Sequence, residues 1–88
     1  MDLKLAISKA GHDKKDIYLI YEENDEYYYL VNGTTKTIEK PKKKKKIHVQ
    51  IIKNIPSEVI DEVNNINKLD DVAIKRILKV YNRRIENV

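Results

Sequence analysis

The sequence contains no cysteine, and this absence excludes several kinds of site at once. A disulfide framework, a cysteine-ligated zinc site and thiol catalysis all need that residue. Glycine is scarce as well: the chain has 2 glycines, too few for a phosphate-binding glycine loop or a dinucleotide-binding fingerprint. No apolar run approaches the roughly 20 residues that cross a bilayer, and the N-terminal segment lacks the pattern of a signal peptide. We therefore expect a cytoplasmic protein with no membrane partner.

A chain of 88 residues can bury only one modest core, which makes a deep catalytic cavity hard to build. No catalytic motif is present, and no nucleophile is paired with a base by any recognisable spacing. The 2 histidines are far apart in sequence and have no carboxylates at metal-ligand spacing. We expect a monomeric protein that is not an enzyme, with no metal, no cofactor and no small-molecule substrate.

The positive charge is concentrated in the middle of the chain. Residues 36–53 carry eight lysines against one glutamate, a net charge of +7. Residues 1–35 carry four lysines against seven acids, a net charge of −3, and residues 54–88 are balanced with six of each sign. A focused basic segment beside an acidic one indicates an anionic partner more strongly than the overall charge of +4 does.

Short segments rich in branched and aromatic residues fill the first 53 residues and predict five strands. These strands cover residues 3–9, 17–21, 26–31, 34–39 and 47–52. Asn32 and Gly33 predict a tight turn, because both residues tolerate positive φ. Pro41 interrupts the fourth strand, and its missing N–H suits a sheet edge or a bulge. Five short strands joined by short loops are typical of a small antiparallel barrel.

The spacing of apolar residues becomes helical after residue 53. Pro56 and Ser57 mark the start of one helix, and Asp70 is a suitable N-cap for a second. We therefore predict a mainly β chain with an α tail: a barrel over residues 1–53 and a helical tail over residues 54–88. The sequence leaves open whether the helices pack on each other, on the barrel or on a partner.

The second predicted helix is amphipathic. Its apolar stripe consists of Ile74, Ile77, Leu78, Tyr81 and Ile85. At 100° per residue, the basic side chains of Lys75, Lys79 and Arg83 fall on the opposite side. We expect these three residues to extend a basic surface.

The most informative segment is the lysine run of residues 40–46, in which six of seven residues are lysine. Such a cluster of like charges opposes folding unless an anion neutralises it, and nucleic-acid phosphate is the obvious partner. The alternatives are a solvated lysine loop, a membrane surface or an acidic protein. Because lysine is a point charge that reads no bases, the run predicts affinity without sequence preference.

Three consecutive tyrosines, Tyr27, Tyr28 and Tyr29, offer a second candidate contact. In a strand the first and third share one face and the second takes the other. Base stacking is one interpretation. We favour the other, that they are ordinary strand residues with wet hydroxyl groups, because three alternating rings cannot all meet one ligand.

Two segments resemble bacterial KOW-domain RNA-binding proteins, a family related to archaeal and eukaryotic large-subunit ribosomal proteins. Residues 8–14 (Ser-Lys-Ala-Gly-His-Asp-Lys), with the apolar segment 17–20, are similar to the family pattern Ser-x-Ala-Gly-Arg-Asp-x-Gly and its strand. Residues 38–49 look like the family's Leu-Glu-Lys-Pro-Lys-Lys-Lys-Lys and the strand after it. The second helix also resembles the family's C-terminal helix. The resemblance implies an SH3-like (KOW) five-stranded barrel followed by two short helices, with structured RNA as partner.

Three positions depart from the family pattern. His12 stands where arginine is usual, which removes a fixed charge and a bidentate donor. Lys15 stands where the motif has its hallmark glycine, which disfavours a positive-φ turn, and Asp16 follows where a basic residue is usual. The lysine run is therefore expected to carry more of the binding than in a typical relative.

The resulting hypothesis is a ribosome-associated module that binds RNA, with ribosomal RNA as the expected partner. Its RNA-binding residues are predicted to be Lys40, Lys42, Lys43, Lys44, Lys45 and Lys46, the loop residues Gly11, His12, Asp13, Lys14 and Lys15, and the helix residues Lys75, Lys79 and Arg83. The alternative is an SH3-like protein-interaction module that docks a partner through its barrel or through the apolar stripe of the second helix.

Overall fold

Five strands and two helices make up the part of the chain that the computed structural model describes, residues 3–11 and 16–86. They are β1 (Lys4–Ser8), β2 (Ile17–Glu23), β3 (Tyr27–Val31), β4 (Lys42–Lys45), β5 (Val49–Ile51), α1 (Ser57–Asn65) and α2 (Asp71–Glu86). One turn of 3-10 helix, Lys46–His48, leads from β4 into β5. The prediction of a mainly β chain with an α tail is confirmed.

The strands form one antiparallel sheet in the order β4-β3-β2-β1-β5. The first four strands follow one another as neighbours, and β5 returns to pair with the free edge of β1. A register shift between Ile20 and Glu22 bends β2 where it pairs with β3, and bulges of this kind increase the local twist. The sheet is curled into a half-barrel, with β4 and β5 as its two edges.

The predicted strand over residues 34–39 is wrong, and the lysine run supplies the fourth strand instead. The Asn32 side-chain oxygen accepts hydrogen bonds from the backbone N–H groups of Thr34 and Lys36, at 3.0 and 2.9 Å, and holds the chain in a turn. Gly33 has φ +79° and packs against the backbone of α2, 2.8 Å from the Lys75 nitrogen as judged from its missing Cβ position. Ile38 N–H then donates to the Asp71 carboxylate. This segment is therefore tied to α2 and cannot pair with β3.

Both faces of the sheet are buried. The helix face carries Leu5, Leu19 and Val31, which pack with residues of α1 and α2 into one hydrophobic cluster. The inner face, on the other side, carries a second cluster that includes Ala6 and Leu30, both 0% exposed. No helix contributes to the inner cluster among the described residues, so the curling of the sheet itself covers it.

The helices belong to the same core as the sheet. The Asp70 carboxylate accepts a hydrogen bond from Ala73 N–H at 2.8 Å, which confirms it as the N-cap of α2. Ile74 and Ile77 are 0% exposed, and Leu78 and Tyr81 are also buried in the helix-face cluster. Ile85 is the exception to the predicted stripe, since it is 47% exposed.

Two ion pairs join α1 to α2 along their outer sides. Arg84 Nε lies 2.8 Å from the Glu58 carboxylate, and Arg76 pairs with Glu62. Exposed pairs of this kind add little stability each, so the buried stripe is the main attachment of the helices. Neither helix in the described part of the chain has the length and apolar content needed to cross a bilayer.

Candidate nucleic-acid interface

The lysine strand β4 presents its side chains alternately to the two faces of the sheet. Lys43 is paired with Tyr29 and Lys45 with Tyr27, so these lysines share the helix face with the two tyrosine rings. Lys42 and Lys44 point to the inner face and are half-buried, whereas Lys43 and Lys45 are exposed. Sheet geometry thus divides what the sequence shows as a uniform run into two sets with different surroundings.

On the inner face, Lys44 reaches across the open side of the half-barrel. Its Nζ donates a hydrogen bond to the carbonyl oxygen of Ala10 at 2.6 Å, 34 residues away in sequence. The next residue, Gly11, has φ +89°, a conformation that favours glycine. The structure therefore brings the lysine strand against the start of the loop that was predicted to shape the site. His12, Asp13, Lys14 and Lys15, predicted as site residues in that loop, lie outside the described residues.

On the helix face, the exposed lysines lie over tyrosine. The Nζ of Lys43 is 4.3 Å from the ring centroid of Tyr27, the geometry of a cation–π contact. Lys45 lies directly opposite Tyr27 across the strand pair. Just before β4, Lys40 is exposed at the end of a turn whose backbone is held by Thr37. Lys40, Lys43 and Lys45 are thus the lysines of the run that are classed as exposed.

Lys46 differs from the others because it has an internal anionic partner. Its Nζ lies 2.7 Å from the Glu23 carboxylate and 5.0 Å from the ring centroid of Tyr28. The hydrogen bond from Lys46 lowers the pKa of Glu23 below its ordinary value, and the same bond raises the pKa of Lys46. The acidic turn between β2 and β3 therefore neutralises one end of the lysine strand.

Three predicted basic residues of α2 line a groove on another side of the molecule. Lys75, Lys79 and Arg83 face polar residues of the turn after β3, including Asn32, in an open groove of about 760 Å³. Asp16, which follows the loop, also lines this groove. The loop of residues 12–15 thus leaves the lysine strand at Ala10 and re-enters the described chain beside the α2 groove. The predicted residues form two basic regions, and the ends of this loop contact one region each.

His48 lies in the 3-10 turn and is exposed, rather than in a strand as predicted. Lys46 and Ile47 accompany it there, which delays the start of β5 to Val49. In the ranges that the structure describes, no three histidine, cysteine, aspartate or glutamate side chains come together as they would around a metal ion.

Sequence reasoning missed two features of this site. One is the internal partner Glu23, and the other is the shared face of Tyr27, Tyr29 and the exposed lysines. Both depend on which segment pairs with β3. Because Asn32 and Gly33 indicated a hairpin into residues 34–39, the lysine run was not aligned with the tyrosines. The alternation of the tyrosines was the available signal, and that prediction is confirmed by the register.

No protein-family model matches the chain, and a comparison with curated proteins found no significant match. The likeness to KOW-domain proteins therefore depends on the residues quoted for it above.

Proposed function

We propose that this protein is an RNA-binding module that contacts phosphates through the lysine strand β4. The observation that carries the proposal is the folding of four consecutive lysines, Lys42–Lys45, into the edge strand of a sheet. A strand fixes the spacing and direction of its side chains, so the charges cannot disperse as they would in a flexible loop. A fixed row of ammonium groups favours a polyanion, because each neutralised phosphate releases condensed counterions.

Edge protection alone is an insufficient explanation for this strand. Lysine at a sheet edge prevents pairing with another chain, but one or two charges are enough for that purpose. Here the charge continues on both sides of β4 through Lys40 and Lys46, and a second basic region lies along α2. Together these features favour an extended anion such as RNA over mere solubility.

The likeness to KOW-domain proteins supplies the finer part of the proposal. It points to an SH3-like barrel, a cytoplasmic site of action and ribosomal RNA as the partner. The curled meander, in which β5 returns to β1, is compatible with such a barrel. The loop between β1 and β2, which corresponds to the KOW motif in this comparison, begins beside Lys44 and ends beside the α2 groove. We propose that it lies between two phosphate-contacting regions of one RNA.

The alternative, a module that docks a partner helix through the α2 stripe, loses its main support. Ile74, Ile77, Leu78 and Tyr81 are buried in the chain's own core and are not available to a partner. No specific contact in the described residues favours docking of a protein on the barrel instead.

The salt dependence of RNA binding tests the proposal directly. If about six phosphates are neutralised, a plot of log affinity against log salt concentration should have a slope of about −4 to −5. The measurement is a fluorescence-anisotropy titration of a labelled structured RNA at several salt concentrations between 0.05 and 0.3 M, values of about one Debye length of 5–15 Å. A slope near zero, or no binding at the lowest salt concentration, would reject the proposal.

Replacing Glu23 with glutamine is expected to strengthen RNA binding. The substitution releases Lys46 from its carboxylate partner, so one more ammonium becomes available to a phosphate. We expect the salt slope to become steeper by roughly 0.7–0.9 and affinity near 0.1 M salt to rise about fivefold. The measurement is the same anisotropy titration.

The matched control is Glu22→Gln, which removes the same charge one residue away on the opposite side of the strand. Because the Lys46 ion pair is to Glu23, the Glu22 variant should show a smaller gain. Equal gains in both variants would mean that only the overall charge of the turn matters, and that Lys46 makes no phosphate contact.

A further inference from the structure

Two of the six tyrosines are not used by the hydrophobic core. Four tyrosines pack in or against the two clusters: Tyr18, Tyr21, Tyr28 and Tyr81. Tyr27 and Tyr29 belong to neither cluster, although they lie in the middle of the sheet's second hairpin and are half-buried. Their rings therefore need an explanation other than core packing.

The two rings form a regular pattern with the exposed lysines on the helix face. They are two residues apart on β3, so their Cα atoms are separated by roughly 6.5–7 Å. Across the strand pair, Lys45 lies opposite Tyr27 and Lys43 opposite Tyr29. Each ring thus has an ammonium group beside it, which is the combination of stacking surface and phosphate contact that binds single strands.

We propose that Tyr27 and Tyr29 form a platform on which two unpaired bases of the bound RNA stack, while Lys43 and Lys45 hold the adjoining phosphates. This inference rests on the proposed function and deepens it, because it assigns unpaired nucleotides to one face of the lysine strand. The other basic groups, on the inner face and along α2, have no pair of aromatic rings beside them in the described residues and would contact phosphates alone.

The contact between Lys43 and Tyr27 is compatible with this arrangement. The ammonium lies 4.3 Å from the ring centroid and occupies the position that a base would take. Such contacts are weak at exposed sites, and a phosphate is a stronger partner for the same ammonium. Stacking would therefore move Lys43 from the ring to the phosphate of the same nucleotide.

The acidic residue on this face sets the direction of the RNA. Glu22 lies opposite Tyr29 on the β2 side, whereas the lysines lie on the β4 side. Phosphates are repelled from the first side and attracted to the second. The RNA backbone accordingly runs along β4, and its bases point across β3.

The experiment compares three labelled ligands with the whole protein: a single-stranded oligo-adenylate of ten nucleotides, an oligonucleotide of the same length with abasic sugars, and an RNA hairpin. The first two carry the same phosphates and differ only in their bases. Two stacked bases should give oligo-adenylate an advantage of about 10–100-fold over the abasic strand. In the variant Tyr27→Leu, Tyr29→Leu this advantage should fall below about threefold, whereas hairpin affinity should change less than twofold.

The conservative variant Tyr27→Phe, Tyr29→Phe is the matched control, since it keeps the rings and removes the hydroxyl groups. It should retain the preference for bases, and an equal loss in the leucine and phenylalanine variants would overturn the stacking proposal. Because the chain has no tryptophan, Tyr27→Trp gives a second readout. Its fluorescence should be quenched by oligo-adenylate and not by the abasic strand, even if the leucine variant fails to fold.

The outcomes separate this inference from the proposed function. Wild-type protein that binds all three ligands without preferring bases would overturn the platform and leave phosphate binding intact. Wild-type protein that binds none of them in dilute buffer would overturn the proposed function itself.

Discussion

Replacing Lys40, Lys43 and Lys45 with glutamine is expected to weaken RNA binding about 100-fold at 0.1 M salt. Each lost phosphate contact removes roughly 0.7 from the salt slope, which at 0.1 M corresponds to about a fivefold loss of affinity. These three lysines were chosen because they are exposed, whereas Lys44 and Lys46 make internal contacts that a wider substitution would also break. The slope should therefore fall by about 2.

A variant with the same change in net charge is the necessary control. Lys36→Gln, Lys53→Gln, Lys68→Gln removes three positive charges that lie outside β4 and outside the α2 groove. We expect it to lose less than about tenfold in affinity, since distant charges are screened at this salt concentration. Equal losses in the two variants would mean that binding follows net charge and that β4 is no specific site.

Replacing Gly33 with alanine is expected to destabilise the protein by about 2–5 kcal/mol. The residue has φ +79°, a conformation that costs an L-residue energy. A Cβ would also meet backbone atoms of α2, namely the Asp71 carbonyl oxygen and, at 2.8 Å, the Lys75 nitrogen. Backbone cannot rotate out of the way as a flexible side chain can, so the turn or the helix must shift.

Chemical denaturation followed by circular dichroism measures this effect. Glu39→Ala is the control, because Glu39 is exposed in the same connection between β3 and β4 and should change stability by less than about 0.5 kcal/mol. A loss below about 1 kcal/mol in the Gly33 variant would show that the turn can move away from α2 without cost. The attachment of this connection to the helix would then be loose.

Local patterns predicted most of the regular structure. Alternating or branched residues identified four of the five strands, and the Asp70 cap and the 3.6-residue spacing identified α2. These signals succeed because they depend on residues close in sequence. The strand at 34–39 failed because its alternative, attachment to α2, depends on Asp71, which is 33 residues away from Ile38.

The candidate site was predictable in composition but not in arrangement. The run of lysines is visible in the sequence, yet its division into two faces follows from pairing with β3. The pairing of Lys46 with Glu23 joins residues 23 positions apart, and the bond from Lys44 to Ala10 joins residues 34 apart. Such contacts form only when the sheet curls, and no local pattern specifies them.

The amino-acid sequence by itself determined the kind of residues available: many lysines in one segment, no thiol, few glycines and enough branched residues for a small sheet. Tertiary structure decided which lysines remain exposed, which tyrosines accompany them and whether the helices face a partner or their own core. The physical reason is that charge and propensity are properties of single residues, whereas burial and ion pairing depend on segments distant in the chain.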